Sequence, residues 1–203
     1  MNWLAHVALS PNHSQFQLGN LFADLVPKRD EVNYPPTFQA GCACHRAIDA
    51  FTDAHPLVHE AKAQVGAGSL RYAGVVLDIY FDHLLATHWT QFYKTPLNMF
   101  TTGFYTEAAP HVAAWSQLPP AATLAWSRIV EHDVLGSMIR VQSVAFALER
   151  ISARWNLRFK RDIDLQPALA QLETQRAAVT DRFLRFYPQL QMVAREHTQQ
   201  QGF

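Results

Sequence analysis

The sequence predicts an all-α fold, a single-domain helical bundle over residues 1–203. Three observations predict it. Apolar residues recur at helical spacing, as along Val75, Ile79 and His83 with Val76, Tyr80 and Leu84 beside them. No stretch shows the apolar–polar alternation of a half-buried strand. No Gly/Ser-rich linker, internal repeat or low-complexity block separates two cores, and 203 residues are enough to bury one.

The elements follow in order. A short first helix is expected from about Asn2 to Ser10, broken by Pro11-Asn12-His13-Ser14. Ser14 suits the cap of a second helix through Leu18, Leu21, Phe22 and Leu25, which Pro27 ends. Lys28 to Asn33 reads as a polar loop. Pro35 and Pro36 fit the first turn of a third helix carrying His45 and Asp49. The chain turns near Thr52-Asp53-Ala54-His55-Pro56, and a helix starts at Pro56. Gly66-Ala67-Gly68-Ser69 is a turn before a long helix from Leu70 to about Lys94. It is not a phosphate loop, because no Gly-Lys-Ser/Thr follows. Breaks are expected at Pro96, Pro110 and Pro119-Pro120. Residues Ala121 to Trp155 read as helix weakened at Gly136. The last helix begins near Leu165 to Pro167, is kinked or interrupted by Pro188, and frays at its end.

Composition excludes several classes. Lys+Arg and Asp+Glu number 17 each, so no dominant positive field supports general nucleic-acid binding. The hydrophobic fraction of 49% argues for a folded globule over disorder. Cys42 and Cys44, two apart on a helix, point to different sides and predict reduced thiols, not a disulfide or a zinc knuckle. The first residues lack the basic and apolar regions of a secretion signal, and no run is long enough to span a bilayer. A soluble cytoplasmic protein, with neither nucleic-acid nor membrane partner, is the expectation.

The densest chemistry lies in two pairs. His45 and Asp49 are four residues apart, as are Asp78 and Asp82, and such spacing aims both members from one helix face. Two carboxylates at that spacing repel, and burying them unpaired is costly; a bound cation relieves both penalties, as would a partner such as Arg46 or Arg71. His6 and Asp24 also sit in apolar surroundings. Read singly, each is a hydrogen-bonded core residue or a cap. Together, imidazoles and carboxylates on helical walls favour a divalent metal and metal-assisted hydrolysis. His132-Asp133 is a literal His-Asp doublet with no second cluster near it in sequence. His55, His59, His111 and His197 are expected at the surface. No Gly-x-Ser-x-Gly supports a serine hydrolase.

The chain resembles the acyl carrier protein phosphodiesterase family. The resemblance is carried by Met1-Asn2-Trp3-Leu4-Ala5-His6, Gly19-Asn20-Leu21-Phe22-Ala23-Asp24, His45 through Asp53, Leu77-Asp78-Ile79-Tyr80-Phe81-Asp82-His83, His88-Trp89 and Phe186-Tyr187-Pro188, in that order. It covers the first half closely and the second loosely. It implies an all-helical, HD-phosphohydrolase-like fold and a divalent metal, manganese above magnesium. The implied reaction removes 4′-phosphopantetheine from holo acyl carrier protein by metal-activated attack of water on the phosphodiester. Within it the metal set is His6, Asp24, His45, Asp49, Asp78 and Asp82. Asp82 is the choice for general base by position, His83 for protonating the departing serine oxygen or binding phosphate, and Arg46 for gripping phosphate oxygens. Trp3, Phe22, Tyr80 and Trp89 are candidates to line a groove for the pantetheine arm. An acidic carrier calls for a basic face, and Arg150, Arg154 and Arg158, repeating every four residues, supply a stripe. The competing readings are an HD-type phosphohydrolase acting on a nucleotide, which needs no such stripe, and a helical binding protein whose His and Asp residues are structural.

Overall fold

Prolines mark the starts of the helices. In the computed structural model, which describes residues 1–66 and 71–203, the helices α3 (Pro36–Ala54), α4 (Pro56–Lys62), α7 (Pro120–Glu131) and α10 (Gln166–Thr174) each carry one in the first turn. There the missing N–H costs nothing and the fixed φ already suits the helix. The others are α1 (Trp3–Ala8), α2 (Ser14–Phe22), α5 (Ala73–Thr87), α6 (Leu97–Ala114), α8 (Val134–Ser137), α9 (Val141–Phe159) and α11 (Arg176–Gln200). No strand occurs among the described residues, so the all-α expectation holds. The expected turn at Gly66–Ser69 and the helix start at Leu70 fall largely outside the described residues.

Several boundaries differ from expectation for physical reasons. Lys28–Asn33, read as a loop, is a 3-10 turn. The helix through Asp78 and Asp82 stops at Thr87, where Thr87 Oγ1 turns back onto the carbonyls of His83 and Leu84. The expected segment 121–155 divides into α7, α8 and α9. The break falls at Asp133, whose φ of 44° is left-handed and whose Oδ1 accepts from the Gly136 N–H at 3.2 Å to cap α8. Pro110 and Pro188 end nothing: each lies inside a helix on an exposed face, where the carbonyl that a proline frees can turn to solvent.

α3 lies at the centre, packed on α2 and α11, and α11 runs on across α4. Phe81, Phe183, Phe186 and Tyr187 form an aromatic layer between α5 and α11. The closest approach is between α2 and α3. A Cβ on Gly19 would collide with the carbonyl of Phe38, and one on Gly41 with the carbonyl of Phe16, so the two backbones touch where only glycine fits. Cys42 Sγ donates to the Gly19 carbonyl at 3.3 Å across the same crossing. Both cysteines are buried and free. No described helix is long and apolar enough to cross a membrane.

Candidate metal centre

The glycine crossing sets Asn20 of α2 against His45 of α3. His45 Nδ1 lies 2.7 Å from the Asn20 main-chain oxygen, and His6 Nδ1 of α1 lies 2.8 Å from Asn20 Oδ1. The two imidazoles stack with centroids 3.9 Å apart. Both rings are buried, and the Nε2 atom of each lacks a hydrogen-bond partner. Both Nε2 atoms face Asp49, at 3.3 Å for His6 and 3.0 Å for His45; Asp24 Oδ1 lies 3.4 Å from His45 Nε2. Asp78 Oδ1 and Asp49 Oδ1 stand 3.1 and 3.5 Å from the Met1 amino nitrogen. Three of the six expected ligands, His6, His45 and Asp49, thus converge, with Asp24 beside His45 and Asp78 at the edge.

The charge pattern favours a cation. Burial works to raise the Asp49 carboxyl, but the His45 and His6 imidazoles outweigh it and hold it well below the usual carboxylate range. Asp24 is likewise lowered by its contact with His45. Burial opposes charge on His45, yet Asp24 and Asp49 raise it to about 9; His6, governed by burial, falls to about 4. A proton on His45 therefore takes the place between two carboxylates that a metal would fill. The donors suit that exchange: a metal with bonds of about 2.1 Å holds neighbouring ligand atoms roughly 3.0–3.4 Å apart, which matches the His6–Asp49 and His45–Asp49 separations.

Three assignments change. Asp82 is not placed as a base on water. Its two oxygens accept from the Leu4 and Ala5 N–H groups at 2.7 and 3.1 Å, so it caps α1 from α5. Burial nevertheless raises its carboxyl to about 7. The Arg46 fork is occupied by Glu31, at 2.6 and 3.2 Å, and ties the 3-10 turn to α3 rather than reaching for phosphate. His83 Nδ1 donates to the Met138 carbonyl at 2.7 Å, and its Nε2 faces Arg176 at 3.4 Å, in a separate network with Glu173 and Tyr80. His55, expected at the surface, is buried; its Nδ1 accepts from the Leu57 N–H at 3.2 Å to cap α4. Asp133 of the His-Asp doublet accepts from Tyr105 Oη as well as capping α8.

Phe22, Tyr80 and Trp89 are core residues and Trp3 is partly buried. Trp89 does border a cavity of about 420 Å³ with Leu97 and Ile139. Arg150, Arg154 and Arg158 lie exposed along α9 and form no ion pair among the described residues. Arg150 covers the Phe146 ring at 5.5 Å and Arg158 the Phe159 ring at 5.4 Å. Leu157 of the same helix is 85% exposed.

Asn20, Gly19 and Gly41 were missed as site residues. A buried Asn among Leu18, Leu21 and Phe22 was the available signal, since an amide in such a setting needs polar partners.

The family model for acyl carrier protein phosphodiesterase matches residues 1–190. A protein of Salmonella dublin named acyl carrier protein phosphodiesterase is 32% identical over 195 residues, 94% of this chain and 95% of the relative. A Yersinia pestis protein of the same name is 43% identical over 91 residues, 45% of this chain and 47% of the relative. One from Pectobacterium atrosepticum is 36% identical over 114 residues, 56% and 59% of the two chains. No solved structure matches.

Proposed function

The chain belongs to the acyl carrier protein phosphodiesterase family, and from that premise we propose that it hydrolyses the phosphodiester joining 4′-phosphopantetheine to a serine of holo acyl carrier protein, with a divalent metal, manganese first. One observation carries the metal: two buried imidazoles turn unpartnered Nε2 atoms toward a single carboxylate. His6, His45 and Asp49 are the holders, and Asp24 stands beside them against His45. When bound, the metal supplies positive charge to phosphate oxygens and acidifies water.

The remaining work falls to the chain's own groups. Asn20 orients the imidazoles. Asp82 fixes α1, and with it His6. Asp24 and Asp78 stand at the more open edge of the cluster, with side chains 81% and 33% exposed, where a carboxylate can orient water and receive its proton. Arg150, Arg154 and Arg158, with Phe146 and Leu157, offer a basic surface with apolar centres for an acidic carrier.

Mass spectrometry of holo carrier protein tests the reading. Incubation with enzyme and manganese should yield apo carrier and free 4′-phosphopantetheine, and chelation should stop it. Undiminished turnover by metal-free enzyme refutes the metal; no turnover in any metal refutes the carrier as substrate.

A further inference from the structure

Asn20 is fully buried, and its bonds run in one direction only. The Ser10 hydroxyl donates its single proton to the His6 carbonyl at 2.9 Å, so toward Asn20 it accepts. Asn20 Nδ2 therefore donates to Ser10 Oγ at 2.9 Å, and Asn20 Oδ1 faces His6. An amide oxygen accepts, so His6 Nδ1 carries the hydrogen. The main-chain oxygen of Asn20 also accepts, so His45 Nδ1 carries one too. A neutral imidazole with its hydrogen on Nδ1 has its lone pair on Nε2. In His6, and in His45 once a metal has displaced its Nε2 proton, that is the nitrogen that faces Asp49 and lacks a hydrogen-bond partner.

We propose that Asn20 is a positioning residue that presents both imidazoles to a metal as Nε2 donors, holding His6 through its side-chain oxygen and His45 through its main-chain oxygen. The tautomer part stands on hydrogen-bond directions alone; the metal part rests on the metal-dependent reading above. The two grips are chemically separate. A side-chain substitution releases His6 and leaves the His45 acceptor in place. Ser10 belongs to the same device: without its hydroxyl, the Asn20 amide can turn its NH₂ toward His6 and draw the His6 hydrogen onto Nε2, where it blocks a metal.

Nitrogen-15 NMR of the imidazoles in metal-free protein at neutral pH reads this directly, beside manganese titration followed by electron paramagnetic resonance. Wild type should show His6 with its hydrogen on Nδ1. Asn20→Ala should lose that preference at His6 while the His45 resonances stay put, and should bind manganese about ten- to a hundredfold more weakly, the usual cost of losing a partner behind a ligand. Asn20→Asp keeps an acceptor at His6 and should restore both. An unchanged His6 tautomer in Asn20→Ala overturns the proposal, as does an equal disturbance of both histidines, which marks a general packing role. If Asn20→Ala fails to fold, Ser10→Ala decides: hydrogen moving onto His6 Nε2 supports the proposal, and an unmoved tautomer overturns it. A wild type that shows the Nδ1 tautomer but ignores manganese refutes the metal reading and leaves the tautomer clamp standing.

Discussion

Replacing Gly41 by Ala tests whether the site depends on the α2–α3 crossing. The added Cβ would lie more than 1 Å inside the 3.4 Å limit of ordinary contact with the Phe16 carbonyl oxygen, and 2.9 Å from the Asn20 nitrogen. Both obstacles are backbone, so no side chain can swing aside and the helices must part. A separation of that size takes the 2.7 Å bond between the Asn20 oxygen and His45 Nδ1 beyond hydrogen-bond range. Overpacking of this kind costs about 1–3 kcal/mol. In a domain of this length that lowers the melting temperature by roughly 2–12 °C. Loss of the acceptor behind His45 should weaken manganese binding by about tenfold or more. Scanning calorimetry and metal titration measure both. Gly103→Ala is the control: nothing lies within 4 Å of its Cβ inside α6, so helix propensity should stabilise the protein by up to about 1 kcal/mol. A Gly41→Ala protein that melts with wild type and binds manganese equally refutes the dependence.

Other outcomes are expected. Asp49→Ala should abolish manganese binding and carrier hydrolysis while circular dichroism stays helical; retained binding would move the centre elsewhere. A folded pKa of about 9 against an ordinary 6.5 means that the proton on His45 stabilises the metal-free fold fully below about pH 6.5 and ceases to do so as pH rises through 9. Metal must displace that proton, so apparent manganese affinity should climb about tenfold per pH unit between roughly 7 and 9 and then level off; a flat profile over that range counts against it. Asp82→Ala removes the acceptors for two N–H groups of α1 and should cost about 0.5–2 kcal/mol, visible in chemical denaturation. Charge reversal in Arg154→Glu should raise KM for the carrier and flatten its salt dependence with kcat nearly unchanged; matching salt profiles would show a stripe that only faces solvent.

Much of the site was legible because its signals are local. His45 and Asp49 share one helix, and the i, i+4 rule places both on one face whatever surrounds them. The same rule misled at Asp78 and Asp82. Asp78 turns to the cluster edge, but the repulsion expected of the pair is relieved at Asp82 by two N–H groups from a helix 77 residues away, which spacing cannot reveal. Arg46 was chosen for phosphate because its fork suits an anion. It does grip one, but that anion is Glu31 of the protein itself, in a segment that read as loop. Nothing local marks Gly19 and Gly41 as partners; their meaning appears only when two helices cross. The prolines at helix starts were readable, whereas Pro110 and Pro188 depend on which helix face meets water.

The capping of α1 by Asp82 also makes one part of the cluster depend on a distant part of the chain. A six-residue helix cannot persist alone in water, and α1 has no side-chain cap of its own. Its N–H groups are satisfied only once α5, more than sixty residues downstream, has been made and docked. His6 therefore depends on α5 for its place in the cluster, whereas Asn20 and His45 meet at the α2–α3 crossing. On the metal reading, a chain that ends before α5 has His45 and Asp49 on one helix but lacks the support that places His6. A ribosome-bound fragment ending before α5 should therefore hold manganese more weakly than the full chain.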